Sequence, residues 1–484
     1  MQLTVIDIVI FLAFIFATVL FGSSFVRKNK TAGDFMTAGK GMSGFVVGMS
    51  IFATYVSSIS FLALPGSAYA GNWNSFVFSL SIPVAIFFAA RYFVPFYRGI
   101  NSPSAYSFLE ERFGKWARLY ASGCYLLTQI ARIGSVLFLL ALPLNAMLGW
   151  SIPLIIILTG VCVVLYAALG GIKAIVYTDT IQGLILIAGA LACLVILMVS
   201  IPGGCGELLR IGMEYDKFSL GSFGLTLNEP TFWVTLIYGL SINLQNYGID
   251  QNYVQRYKTA RSEKSARFSA LFGGLLYVPV SLLFFLIGTA LFVYYKTRPG
   301  LLPETITGDQ AFPYFIVNGL PAGFTGLLIA AIFAAGMSTV STSINSSATV
   351  VLSDFFNVTS HGEAGEKRKM NILHATSVIL GVLGVGVGLA MMSVKSALDA
   401  WWSMAAIFSG GMLGLFFLGY TARGIKGAYA LVGVICGVLL IAWMSLSKQT
   451  AFHNYLTIVL GTLVIFTVGM LLAIAGGRLK KKGI

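Results

Sequence analysis

The sequence predicts an all-α integral membrane protein of about thirteen transmembrane helices, and three observations carry that prediction. Of 484 residues, 57% are hydrophobic and 10% charged, against roughly 45–50% and about 25% in an ordinary soluble domain. Apolar runs of about 20 residues, the length that crosses a ~30 Å hydrocarbon core as a helix, recur along the whole chain. Many of the 54 glycines fall inside those runs, where membrane helices tolerate them. A membrane β-barrel needs strict alternation over about ten residues at a time, and no such stretch occurs.

The spans start near residues 4, 41, 74, 117, 152, 176, 231, 267, 312, 371, 399, 427 and 454. The first, Thr4 to Phe21, has no basic leader and reads as a retained helix, not a cleaved signal. Basic residues then fall in alternate loops: Arg27, Lys28, Lys30 and Lys40; Arg91, Arg98, Arg112, Lys115 and Arg118; Lys173; Arg256 to Arg267; Lys367 to Lys369; Arg423 and Lys426; and Arg478 to Lys482. The other side holds Arg210, Lys217, Lys296, Arg298, Lys395 and Lys448. The positive-inside rule puts the N-terminus outside and the C-terminus in the cytoplasm. The formal charge of +14 is thus a topology signal, not a nucleic-acid footprint.

The loop from Pro202 to Pro230 is the longest external one and is expected to hold a short surface helix. No soluble domain and no Gly-x-x-x-x-Gly-Lys-Ser/Thr phosphate loop is present, so an ATP-driven pump of that type is excluded. Cys124, Cys162, Cys193, Cys205 and Cys436 are scattered with no Cys-x-x-Cys spacing. His361, His374 and His453 are far apart, so neighbouring residues assemble no metalloenzyme site.

Polar groups inside hydrocarbon are expensive and usually functional. The second span carries Thr54, Tyr55, Ser57, Ser58 and Ser60 near its middle, with Pro65 and Gly66 beyond. That pattern suggests a helix locally unwound to expose carbonyl oxygens, although such hydroxyls can also back-bond to their own helix. About five spans later, Asn243 to Gln251 forms a second interruption. Paired interruptions point to an inverted-repeat transporter with its substrate at the midplane. In the ninth span Ser338, Ser341 or Thr342, and Asn345 share one helix face. They suit either interhelical hydrogen bonding or a hard cation, which takes neutral oxygens; their density favours the cation.

Arg132 lies roughly fourteen residues, about 21 Å, into its span. An arginine at that depth costs at least ~2.5–3.5 kcal/mol on insertion scales. Asp7, Asp250 and Asp399 read as span-end acids and Asp179 lies toward the cytoplasmic third, so no acid is expected beside it. Its planar fork matches a carboxylate bidentately, so a substrate anion is the expected partner. Asp179, after Gly170-Gly171, reads as the cap of the sixth span or as a charged cation ligand.

Four segments together resemble the sodium:solute symporter family. They are Ser50 to Thr54 with Ser57 to Ser60; Leu169 to Ile172 with Thr178 to Gly183; Asp250-Gln251 with Val254 to Tyr257; and Ala330 to Ala335 with Ser338 to Asn345. The resemblance implies a single domain over 1–484 with a LeuT-type inverted repeat of five plus five helices. Repeat one runs over about 41–200 and repeat two over about 231–421, with one extra helix before and two after. It implies a first sodium site of the carbonyls of Ala53, Val56 and Ala335 with the hydroxyls of Ser338 and Thr339. A second sodium, present in some members, implies Asp179, Ser338, Ser341 and Thr342.

The segments around Arg132 and Ser57 to Ser60 look most like the family's bacterial sialic acid symporters, which implies that Arg132 with Ser57, Ser58 and Ser60 holds a sugar-acid carboxylate. Tyr55 and Ser79, where threonine and glutamine are expected, face the rest of the sugar. The expected activity is therefore sodium-coupled symport of a carboxylated solute, N-acetylneuraminate first, in a bacterial inner membrane and as a monomer. A monocarboxylate, an acidic or neutral sugar, or an amino acid is the alternative solute. A transporter-like membrane sensor would normally append a soluble signalling domain, and an intramembrane enzyme lacks a paired His, Cys or carboxylate set at mid-depth.

Overall fold

The computed structural model describes residues 4–25, 31–304, 306, 308–356, 362–394, 401, 404–405, 407–408, 411–422, 424–447 and 452–476. Arg27, Lys28, Lys30, His361, Lys395, Asp399, Arg423, Lys448 and the basic tail from Arg478 lie outside the described residues, as does the expected start of the eleventh span. Every regular element among the described residues is helical.

Span 1 is Val5–Ser23, and span 2 consists of two half-helices, Gly44–Tyr55 and Ser58–Ala70. Span 3 is Trp73–Gly99 and span 4 is Lys115–Leu148. Spans 5 and 6 form the stretch Ile152–Ser200, broken inside at Gly171 (φ 58°, ψ −173°). That left-handed backbone favours glycine, which explains the Gly-Gly pair. Span 7 is again two half-helices, Phe232–Ile249 and Gln251–Thr259. Spans 8 and 9 are Glu263–Lys296 and Phe324–Val350. Spans 10 to 13 are Gly362–Ala390, the described part Met412–Thr421, Gly427–Leu446 and Leu456–Ala475.

Several expected starts move: span 8 begins at Glu263 and not near 267, and span 10 at Gly362 and not near 371. Span 6 resumes just after Gly171 and not near 176, because the break is at the glycine. The expected ninth span near 312 is a separate short helix, Gly308–Asn318, and the span itself begins at Phe324. Pro321 and the left-handed Gly323 (φ 89°) separate the two. Asp7 joins the ends of spans 1 and 9: it forms a capping box with Thr4, and its Oδ1 accepts from the Gly323 and Gly326 N–H groups at 2.7 and 2.8 Å. Those are orphan donors of a helix start.

Span 9 is the centre of the molecule: 94% of its apolar window is buried, against 22% for span 1. Large apolar side chains such as Leu12, Phe16, Leu439 and Trp443 remain exposed around the rim, as expected of a surface facing lipid tails. Span 8 packs against both halves of span 2 with almost no gap. A Cβ on Gly273 would lie 2.5 Å from the Gly48 carbonyl, and one on Gly288 would lie 2.2 Å from that of Pro65.

The 202–230 loop contains the surface helix Gly204–Glu214 and clamps the second half of span 2. Lys217 Nζ donates to the carbonyls of Tyr69 and Gly71 at 2.7 and 2.9 Å and sits 3.9 Å from the Phe292 ring centroid. A cation there complements the negative end of the half-helix. Burial holds the Lys217 ammonium below the usual lysine range.

Candidate functional site

The site is built on the two breaks. In span 2 the helix stops at Tyr55, Val56 adopts φ −76°, ψ 109°, and Ser57 restarts it: its Oγ accepts from Ser60 N at 3.4 Å as a cap. The halves are bent by 52°. In span 7, Asp250 (φ −74°, ψ 128°) does the same, its Oδ1 accepting from Asn252 N at 2.7 Å. A helix that stops leaves last-turn carbonyls without helical donors, so both breaks present oxygens inside the bundle.

Between the breaks lies a cavity of about 190 Å³, far more than the roughly 10–15 Å³ that one water needs. Arg132, Ser57, Ser60, Tyr55 and Ser79 line it, with Thr128, Gln129, Gln245, Asn246, Asp250, Tyr253 and Tyr277. The lining continues to Ser67, Ser75, Thr235 and Tyr455, toward the end clamped by the 202–230 loop.

Arg132 is half-buried, and its Nη2 donates to the Thr54 carbonyl, in the last turn before the break, at 3.2 Å. It enters no ion pair within 4.0 Å among the described residues. The expectation that no acid lies beside it is corrected: Asp250 lines the same cavity. Asp250 reads as a span-end residue only if span 7 is continuous; the break puts it in the cavity beside Arg132.

Four of the other expected substrate residues face the cavity and one does not. Ser57 and Ser60 lie at the start of the second half-helix of span 2. Tyr55 stacks on Tyr247 (5.3 Å, 7°) and donates to Asn243 Oδ1. Ser79 Oγ is 2.8 Å from Ser281 Oγ. Ser58 is absent from the lining: it is wholly buried, and its Oγ donates to the Val136 carbonyl of span 4 at 3.5 Å. One residue along a helix turns a side chain by about 100°, which is why three neighbouring serines cannot all face one cavity.

The hydroxyl face of span 9 runs past the span 2 break, where Thr54 and Thr342 hydroxyls are 3.5 Å apart. Ala53 and Val56 flank Thr54 on the broken side. Thr339 Oγ1 donates to the Ala335 carbonyl at 3.1 Å, and Ser341 Oγ to that of Ser338 at 3.1 Å. Ser338 Oγ is buried with no hydrogen-bond partner among the described residues, and so is Asp179 Oδ1. Buried oxygens without partners cost free energy unless something else satisfies them.

Asp179 is not a helix cap. It lies two turns after Gly171, fully buried, with its Oδ2 2.7 Å from Arg256 Nη2 and 2.6 Å from Ser50 Oγ. The same Nη2 donates to Thr342 Oγ1 at 2.6 Å, while Nε donates to Ser50 Oγ and Nη1 to the Asn252 carbonyl. Arg256 is wholly buried and not the loop cation that its neighbourhood in the sequence suggests. The expected fixed negative charge at Asp179 is therefore balanced, and one carboxylate oxygen and the Ser338 hydroxyl remain open beside it.

Sequence reasoning missed several polar cavity residues, Thr128, Asn246, Tyr253 and Tyr277 among them. Three more are Asp250, Gln129, whose buried Nε2 has no partner among the described residues, and Gln245, whose Oε1 likewise has none. The polar run from Asn243 to Gln251 was the signal available for two of them.

A sodium:solute symporter family profile matches residues 35–437. The chain is 34% identical over 465 residues, 95% of its length and 91% of the relative's, to the sodium/sialic acid symporter NanT of Aliivibrio fischeri. It is 31% identical over 472 residues, 97% and 95% of the two chains, to the sodium/sialic acid symporter SiaT of Proteus mirabilis. A solved Na+-coupled sialic acid symporter, in a substrate-bound outward-open state, superposes with a TM-score of 0.92 at 28% identity, covering 99% of each chain. The fold is accordingly the LeuT type. From the two broken spans, the buried oxygens between them and these likenesses, the chain is a multi-pass membrane transporter, not an enzyme, and it belongs to the sodium:solute symporter family, with sodium as its coupled ion.

Proposed function

We propose that this chain imports N-acetylneuraminate, or a closely similar carboxylated sugar, together with sodium by alternating access. The observation that carries the reading is Arg132: half-buried in a polar cavity, outside any ion pair within 4.0 Å among the described residues, with a bond to the Thr54 carbonyl. A guanidinium has five N–H donors in a planar fork, so most remain for a carboxylate, and Ser57 and Ser60 add hydroxyls beside it. Tyr55 and Ser79 face the rest of the sugar. Two relatives named as sialic acid symporters support the choice of solute.

Sodium is assigned to two places. The first uses the carbonyls of Ala53, Val56 and Ala335 with the hydroxyls of Ser338 and Thr339. The second uses Asp179, Ser338, Ser341 and Thr342, with Arg256 balancing the acid. The unpartnered Ser338 Oγ and Asp179 Oδ1 support both, since a hard cation takes such oxygens. The chain acts as a monomer in a bacterial inner membrane, with the N-terminus outside and the C-terminus cytoplasmic, which the loop-charge asymmetry supports.

The test is substrate competition in proteoliposomes with an inward sodium gradient. Unlabelled N-acetylneuraminate should compete with labelled N-acetylneuraminate, and N-acetylmannosamine, which lacks the carboxylate, should not. Equal competition by the neutral sugar overturns the assignment to Arg132. Stronger competition by a simple monocarboxylate overturns the sugar.

A further inference from the structure

We propose that the break in span 7, through Asp250 with Gln245, determines specificity by accepting hydrogen bonds from hydroxyl or acylamino groups of the substrate. This rests on the reading of Arg132 as the carboxylate anchor and deepens it. A carboxylate is then necessary but not sufficient, and a good substrate is an acid that also carries donors on its body.

Two of the cavity's walls carry opposite groups beside its many hydroxyls. Arg132 and Gln129 Nε2, from span 4, are donors; Asp250 and Gln245 Oε1, from span 7, are acceptors, and neither Gln129 Nε2 nor Gln245 Oε1 has a hydrogen-bond partner among the described residues. An ionised carboxylate offers about four lone-pair sites, and Asp250 commits Oδ1 to one N–H, that of Asn252 at 2.7 Å. Its acceptor capacity is therefore largely unspent in a cavity that also holds Arg132, with which it forms no ion pair within 4.0 Å. A plain monocarboxylate would satisfy Arg132 and leave Asp250 and Gln245 stripped of water with nothing to accept from, which discriminates strongly against it. The negative charge of Asp250 also repels the substrate's carboxylate, so the acid end is directed to span 4 and the donor-bearing end to span 7.

Asp250→Asn is the informative substitution because asparagine caps a helix about as well as aspartate, so the half-helix Gln251–Thr259 keeps its start while the charged acceptor is lost. KM for N-acetylneuraminate should rise roughly ten-fold or more, with an unchanged sodium concentration for half-maximal uptake. Gln245→Ala should raise KM in the same direction. If KM is unchanged in both variants, or if Asp250→Asn shifts the sodium dependence instead, the proposal is overturned.

A binding comparison separates this idea from the choice of solute. Thermal-shift affinities of gluconate and of hexanoate, which differ in hydroxyls and not in charge, are measured on wild-type protein and Asp250→Asn in sodium. Wild type should prefer gluconate and the variant should lose that preference, even if N-acetylneuraminate proves not to be transported. An equal preference in both proteins overturns the role of Asp250 and leaves the solute question intact.

Discussion

At the residue scale, the cation ligands can be tested apart from folding. Ser338 Oγ has no hydrogen-bond partner among the described residues, so Ser338→Ala should leave the melting temperature in detergent almost unchanged while raising the sodium needed for half-maximal uptake several-fold. Thr339→Ala should raise it too. An unaltered sodium dependence in both variants removes the first site. Asp179 behaves differently, because its removal strands the buried Arg256. Breaking such a pair costs about 3–5 kcal/mol, so Asp179→Asn should lower the melting temperature sharply and Asp179→Asn with Arg256→Gln should recover much of it. If the second site is real, both proteins lose cooperativity in sodium; a single variant as stable as wild type contradicts the buried pair. Arg132, the broken-helix serines and the span 9 hydroxyls were legible in the sequence because each is a polar group with no reason to be in hydrocarbon. The Asp179–Arg256 pair was not, since its members are 77 residues apart and each sits where a local explanation, a cap or a loop charge, was available.

At the element scale, the breaks matter more than the spans. A run such as Ser57-Ser58 announces a discontinuity, and span 2 has it there. Glycine and proline set boundaries that hydropathy alone misplaces: Gly171 ends span 5 earlier than the apolar run implies, and Pro321 with Gly323 detaches Gly308–Asn318 from span 9. Asp250 was misread for the same reason, because a continuous span 7 would have carried it out to the cytoplasmic end. The fit of span 8 against the second half of span 2 is testable. Gly288→Ala would bring a Cβ to 2.2 Å from the Pro65 carbonyl, whereas a Cβ on Gly386 meets nothing within 4 Å. Overpacking of this kind costs about 1–3 kcal/mol. Gly288→Ala should therefore melt measurably lower than wild type and transport poorly, and Gly386→Ala should match wild type in both. Equal melting of the two variants would mean that the contact is looser than the geometry implies.

At the scale of the whole molecule, the architecture explains how sodium and solute are coupled: one broken helix, span 2, supplies oxygens to the proposed ion site on one side and lines the solute cavity on the other. Thr54 makes the link concrete, with its hydroxyl near Thr342 and its carbonyl bonded to Arg132. A ligand can shift a conformational equilibrium only by its differential affinity for the two states, so sodium bound at this break would stabilise the geometry that presents Arg132 and Ser57 to the solute. The overall fold and the kind of transport could be read from composition, paired interruptions and motif order. Substrate selectivity could not, because it depends on side chains such as Gln129, Gln245 and Asp250 that only the packing of spans 4 and 7 brings to one cavity. The most direct test is initial uptake of labelled N-acetylneuraminate into proteoliposomes holding wild type, Arg132→Lys or Arg132→Ala, with and without an inward sodium gradient. Wild type should take up the sugar only with sodium, and both variants should lose that uptake at equal insertion, since lysine lacks the planar fork. Uptake by wild type without sodium, or normal uptake by Arg132→Ala, would contradict this.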